Sequence, residues 1–132
     1  MKQQTEEKLQ QDCLCFFTNT YGLKHHSPRL LFYSVANEIG ASVAYSIGNT
    51  KKIKDTLSRV MAKFKLTGFK KGVADVHLCF PNGKLVYIEF KTATGTQRPE
   101  QKEFQMQVEA LGFKYYIVRS LEEFKEIVCS HI

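Results

Sequence analysis

Asp75, Glu89 and Lys91 are the side chains in this sequence best suited to chemistry. They fall in Gly72-Val73-Ala74-Asp75-Val76-His77-Leu78 and in Leu85-Val86-Tyr87-Ile88-Glu89-Phe90-Lys91, with thirteen residues between the aspartate and the Glu-x-Lys. Two acids offer oxygen ligands to a hard divalent cation such as Mg²⁺ or Mn²⁺, which keeps several waters of its own. A cation so held polarises a phosphate and acidifies a bound water, and a nearby ammonium can orient that water and offset transition-state charge. The triplet therefore points to metal-dependent hydrolysis of a phosphodiester. A plain surface ion pair, Glu89 with Lys91 or with Lys84, is the competing reading of Glu-x-Lys by itself.

For the three to meet, neighbouring strands must carry them. Residues 73–80 and 84–91 are apolar and β-rich, and Pro81-Asn82-Gly83 between them is hairpin-turn chemistry. Alternation puts Glu89 and Lys91 on one face of the second strand and Ile88 and Phe90 on the other. The apolar pair can enter a core while the charged pair reaches an open site. If the turn is a three-residue loop, Phe80 pairs with Lys84 and Asp75 falls opposite Glu89, with Cβ atoms about 4.5–5.5 Å apart. Carboxylates that close repel unless a cation lies between them. A two-residue Asn-Gly loop would shift the register by one and send Asp75 to the opposite face.

The remaining elements can be placed around this hairpin. Residues 3–18 bring Leu9, Cys13, Phe16 and Phe17 to helical spacing, and Tyr21-Gly22 closes that helix. His25-His26-Ser27-Pro28 is a loop, residues 30–36 read as a strand, and residues 37–50 fit either a strand or a loop. Residues 54–66 align Leu57, Val60, Met61 and Phe64 on one helix face. Residues 92–98 read as a loop, and the small, polar residues 92–96 within it as mobile over the site. Pro99 then suits the first position of a helix ending at Ala110, with Gly112 just beyond. Residues 115–118 are a short buried strand, and Ser120-Leu121-Glu122-Glu123 is a capping box that opens a last helix with Glu122, Glu123 and Glu126 on its solvated face. The order αβ(β)αββαβα predicts an α/β fold, a mixed central sheet flanked by helices. With no repeat, low-complexity tract or linker in 132 residues, a single domain over 1–132 is expected.

Composition narrows the partners. The chain is 43% apolar with ten Phe, enough for a real core, and its net charge of +6 suits a polyanion. Lys51, Lys52, Lys54, Lys63, Lys65, Lys70 and Lys71 form the densest basic region, leading into the Asp75 strand. Lys70 and Lys71 are read as phosphate contacts, Lys51 and Lys52 equally as phosphate contacts or solvated face, and Arg98 and Lys102 as clamps on a nucleic-acid backbone. No segment approaches the roughly 20 apolar residues of a membrane span, and the first residues carry no apolar signal region. Cys13, Cys15, Cys79 and Cys129 lack a zinc spacing and read as reduced thiols of a cytosolic protein. His25, His26 and His77 read as structural, as do Phe113, Tyr115 and Tyr116, placed in the core.

Several stretches together resemble a known family. They are Gly72-Val73-Ala74-Asp75, Ile88-Glu89-Phe90-Lys91-Thr92, the run from Gly95-Thr96-Gln97-Arg98 through Pro99-Glu100-Gln101-Lys102-Glu103-Phe104, Leu111-Gly112-Phe113, and Val118-Arg119-Ser120-Leu121-Glu122-Glu123. The set resembles the VRR-NUC domain, the virus-type replication-repair branch of the PD-(D/E)XK nucleases. Phe32-Tyr33-Ser34-Val35-Ala36-Asn37 resembles an earlier strand of that family, and Glu6-Glu7-Lys8-Leu9-Gln10 its opening helix. The likeness spans nearly the whole chain and is most specific over residues 68–123.

The resemblance implies a restriction-endonuclease-like core in which Asp75, Glu89 and the main-chain carbonyl of Phe90 bind Mg²⁺ or Mn²⁺. It makes Lys91 the catalytic lysine and Gln101 a helix glutamine near the site. Glu6, with Glu7 as the alternative, becomes the first-helix acid. Ala74 and Ala36 stand where the family usually has proline, which supplies no ligand. Members of this size resemble stand-alone phage-encoded proteins that dimerise and cut branched DNA such as four-way (Holliday) junctions. That implies a DNA partner, a homodimer with two sites for two strands, and the cytoplasm of a bacterium or phage-infected host. Flaps, ends or plain duplex are the alternative substrates, and a nucleic-acid-binding module without turnover is the non-enzyme alternative.

Overall fold

A computed structural model describes residues 2–35, 47, 48 and 50–132. The elements are α1 (Glu6–Tyr21), β1 (Leu31–Ser34), α2 (Lys51–Leu66), β2 (Val76–Phe80), β3 (Lys84–Phe90), α3 (Pro99–Ala110), β4 (Lys114–Val118) and α4 (Leu121–His131). The strand-or-loop stretch 37–50 lies largely outside the described residues, as do Ala36 and Asn37 of the family-like strand.

The four strands form one mixed sheet in the order β1-β2-β3-β4. β1, β2 and β3 run antiparallel, and β4 pairs parallel to β3 after the crossover through α3. The hairpin has the three-residue loop, because Phe80 pairs with Lys84 and Val76 with Ile88. Asn82 and Gly83 both take positive φ, 64° and 70°, which asparagine and glycine tolerate.

Both faces of the sheet are covered. On one, Leu9, Cys13 and Phe17 form the buried stripe of α1, and Phe124 and Val128 that of α4, against Val76, Leu78, Val86, Ile88, Phe90 and Val118. Phe124 ties the layers together, with ring centroids 6.4 Å from Phe17, 6.1 Å from Phe32 and 6.3 Å from Phe90. On the other face α3 sets Phe104 and Val108 beside Ala74 and Tyr115. His77 lies edge-on between the Tyr33 and Tyr87 rings, at 5.2 and 4.8 Å, and burial lowers its pKa.

Some boundaries differ from the sequence reading. α2 begins at Lys51, three residues early, because the Thr50 side chain caps it by accepting the Ile53 N–H at 3.3 Å. None of its residues is buried, so its apolar face is not part of the core. β2 begins at Val76, so Asp75 precedes the strand, although its carbonyl still accepts the Val35 N–H at 2.9 Å. Cys13 is a core residue whose thiol burial pushes up to about 12, whereas Cys129 is exposed.

Candidate active site

Glu89 sits on β3, and Lys91 follows the strand with its N–H on the Val118 carbonyl at 3.0 Å. The alternation therefore continues, and Lys91 Nζ lies 3.3 Å from Glu89 Oε1. Asp75 joins them because Phe90 N–H donates to Asp75 Oδ2 at 2.8 Å. The expected open site is instead a buried one: Glu89 is 1% exposed and Lys91 6%. The reason is α3, which lays Gln101 over Glu89.

Gln101 is a fixed strut. Its Oε1 accepts the Arg98 N–H at 2.8 Å, so its amide nitrogen must face the other way, where it donates to Glu89 Oε1. The second carboxylate oxygen of Glu89 accepts from Tyr115 Oη at 3.4 Å. The sequence reading places Tyr115 only in the core and misses its hydroxyl, with Gln97 behind it. Residue spacing alone does not reveal which residue of β4 lies beside Glu89.

Burial, reinforced by the charge of Asp75 and opposed by Lys91, pushes the Glu89 carboxyl up to about 7. Glu6 reaches the group from α1, with Oε1 4.0 Å from Lys91 Nζ. Glu7 accepts from Gln11 at 3.4 Å. Glu6, Glu7 and Asp75 line one open groove with Gln10, Gln11 and Leu14.

Residues 92–95 are a pinned turn rather than the expected mobile loop. Gly95 N–H donates to Thr92 Oγ1 at 3.0 Å, and the Arg119 guanidinium donates to the carbonyls of Thr92 and Gly95 at 2.6 and 2.8 Å. A Cβ on Gly95 would lie 3.3 Å from Glu6 Oε1. Arg119 thus braces the turn beside the Glu6–Lys91 pair, a role the sequence reading missed.

The basic residues divide between elements. Gly72, at φ 80°, lies so close to α3 that a Cβ there would meet the Glu100 backbone at 2.4 Å. This approach sets exposed Lys70 and Lys71 beside the N-terminal turn of α3, with exposed Arg98 and Lys102 around Gln101. Lys51 and Lys52 belong elsewhere, exposed on the first turn of α2. His26 bonds the Pro28 carbonyl at 2.7 Å and meets the Tyr21 ring edge to face, outside the Glu89 cluster.

The donor set fits a hard cation. Burial first, and then the charge of Asp75, raise the Glu89 carboxyl, and a positive ion between the two acids would relieve both the burial of charge and the repulsion. Among the described residues no three His, Cys, Asp or Glu side chains are grouped to hold a metal. Two carboxylates, a main-chain carbonyl and water form an oxygen set of the kind magnesium accepts.

No protein-family model matches the chain, and no curated protein matches it. Solved structures do. One called "VRR_NUC domain protein" superposes with a TM-score of 0.69 at 17% identity, covering 100% of this chain and 91% of its own. Another called "VRR_NUC domain" gives 0.59 at 13% identity, with 98% of this chain and 100% of its own covered. The chain has the VRR_NUC fold, the mixed α/β architecture expected from the sequence.

Proposed function

We propose that this protein is a divalent-metal-dependent DNA endonuclease that hydrolyses phosphodiester bonds, with branched DNA as its substrate. The observation that carries the reading is a Glu89 carboxylate 1% exposed, repelled by Asp75 and 3.3 Å from the Lys91 ammonium. Folding cores rarely bury such a group without use for it, and perturbed acids in clefts mark functional sites.

In this reading Asp75, Glu89 and the Phe90 carbonyl hold Mg²⁺ or Mn²⁺. When bound, the ion supplies Lewis acidity toward the scissile phosphate and acidifies an attacking water. Lys91 orients that water and offsets the charge that grows on the phosphate oxygens. Glu6 and Glu89 direct the Lys91 ammonium from two sides, and Gln101 holds Glu89 in place. The water oxygen bonds to phosphorus as the P–O3′ bond breaks in line. The water's proton passes to solvent and the leaving oxygen is protonated, giving a 5′-phosphate and a 3′-hydroxyl. Lys70, Lys71, Arg98 and Lys102 lie around the same helix end and suit backbone phosphates, with Lys51 and Lys52 as further contacts.

The resemblance to stand-alone phage-type nucleases supports a homodimeric four-way-junction resolvase acting in a bacterial or phage-infected cytoplasm. Among the described residues no helix is long and apolar enough to cross a membrane. Purified protein with Mn²⁺ should nick a synthetic four-way junction faster than matched linear duplex, and Asp75→Ala should abolish cutting while retaining binding. Equal rates would leave a nuclease of flaps, ends or duplex. Binding without cleavage by the unaltered protein would leave a nucleic-acid-binding module.

A further inference from the structure

Tyr115 is a buried polar side chain to which the proposed hydrolysis gives no task. It comes from β4, whose parallel register sets Tyr115 beside Tyr87 and Ile117 beside Glu89. Tyr115 and Ile117 share a face, so the phenol extends toward Glu89 and places Oη 3.4 Å from Glu89 Oε2. The two oxygens of Glu89 are thus held from different elements. Oε1 takes the Lys91 ammonium and the Gln101 amide, and Oε2 takes the phenol.

The direction of the phenolic proton is set by a chain of amides. A carboxylate only accepts, so Gln105 turns its nitrogen toward Glu109 Oε1 at 3.1 Å. That leaves Gln105 Oε1 to accept from Gln97 Nε2 at 3.0 Å. The same Gln97 nitrogen has a second N–H, and Tyr115 Oη lies 3.4 Å from it. With its oxygen accepting from Gln97, the Tyr115 hydroxyl has its proton left for Glu89. Both contacts to the phenol, at 3.4 Å, are long for hydrogen bonds.

We propose that Tyr115 and Gln97 are a positioning pair that aims the Glu89 carboxylate at the divalent cation. The proposal rests on the reading of Asp75 and Glu89 as the cation site. Neither residue touches the reacting atoms. Gln97 acts through Tyr115, and Tyr115 through Glu89. Partners that orient a metal ligand in this way change metal affinity by about 10- to 100-fold when removed.

The test is a titration of the metal-free protein with Mn²⁺ alone, following the free ion by electron paramagnetic resonance. Tyr115→Phe keeps the ring in the core and removes only the hydroxyl. It should weaken Mn²⁺ binding about tenfold or more. Gln97→Leu should weaken it less. Because Gln97 works through the phenol, the double variant should bind no more weakly than Tyr115→Phe alone, a non-additivity that two independent packing defects would not show. Wild-type Mn²⁺ affinity in Tyr115→Phe, or effects that simply add, would overturn the positioning role while leaving the cation site standing. Unaltered protein that binds no Mn²⁺ would bring down the cation reading and this proposal with it. If Tyr115→Phe fails to fold, Gln97→Leu decides: unchanged affinity there overturns the pair.

Discussion

Two effects oppose the ionised form of Glu89, the loss of water first and then the negative charge of Asp75. Its carboxyl stands at about 7 in the folded chain against an ordinary value of 4.5. A raised carboxyl means that the folded state binds the proton more tightly than the unfolded state does. The resulting stabilisation is complete below about pH 4.5 and is lost as pH rises through about 7. At 1.36 kcal/mol per tenfold change, the loss amounts to roughly 3 kcal/mol. Metal-free protein should therefore lose stability between pH 5 and pH 8 in urea melts, beyond the contribution of other groups. Glu89→Gln should flatten that fall and make the metal-free protein more stable at pH 8, yet eliminate cleavage. A Glu89→Gln protein less stable than the parent at pH 8 would show that the carboxylate is compensated without a cation. The identities of these residues were legible because acids and a lysine stand out against Val, Ile and Phe. Their burial was not, since it depends on Gln101 from a helix that begins ten residues beyond Glu89.

At the scale of elements, the hairpin was readable and the cover over it was not. Pro81-Asn82-Gly83 announces a turn, and its loop length settles the register on which the meeting of Asp75 and Glu89 depends. The start of α2 was misplaced because Thr50 caps it before the apolar spacing begins. The turn at 92–95 looked mobile because small polar residues carry no mark of the distant arginine that fixes them. Gly72 shows how a single backbone position joins elements. Its φ of 80° and its approach to Glu100 bring the basic loop against α3. Gly68 also has positive φ, 99°, but nothing within 4 Å of a would-be Cβ. Gly68→Ala should cost about 1 kcal/mol, the conformational penalty alone. Gly72→Ala adds a backbone clash and should cost several-fold more, in the range reserved for strained or overpacked sites. Equal costs in parallel denaturant melts would mean that the approach of Gly72 to Glu100 is not a fixed joint.

At the scale of the whole molecule, a net charge of +6 coexists with an acidic groove of Glu6, Glu7 and Asp75. A polyanion drawn by the surrounding lysines would be repelled at the groove unless a divalent cation were present, so binding and cutting should have separate electrostatic requirements. Lys70→Ala/Lys71→Ala should weaken binding to every DNA sequence alike and lower the salt slope by about 1 for each phosphate no longer neutralised. An unchanged slope would remove these two lysines from the interface. The overall architecture was legible from the order of apolar periods and turns, because each element carries its own pattern. The pairing of β4 beside β3, which brings Tyr115 to Glu89, is a long-range choice that local pattern does not encode. Whether Asp75 and Glu89 share one ion can be seen in crystals grown with Mn²⁺ and measured at the manganese absorption edge. An anomalous peak is expected in direct coordination with both carboxylates; a well-ordered site with no peak between them, or with manganese bound elsewhere, would show that the two acids do not share an ion.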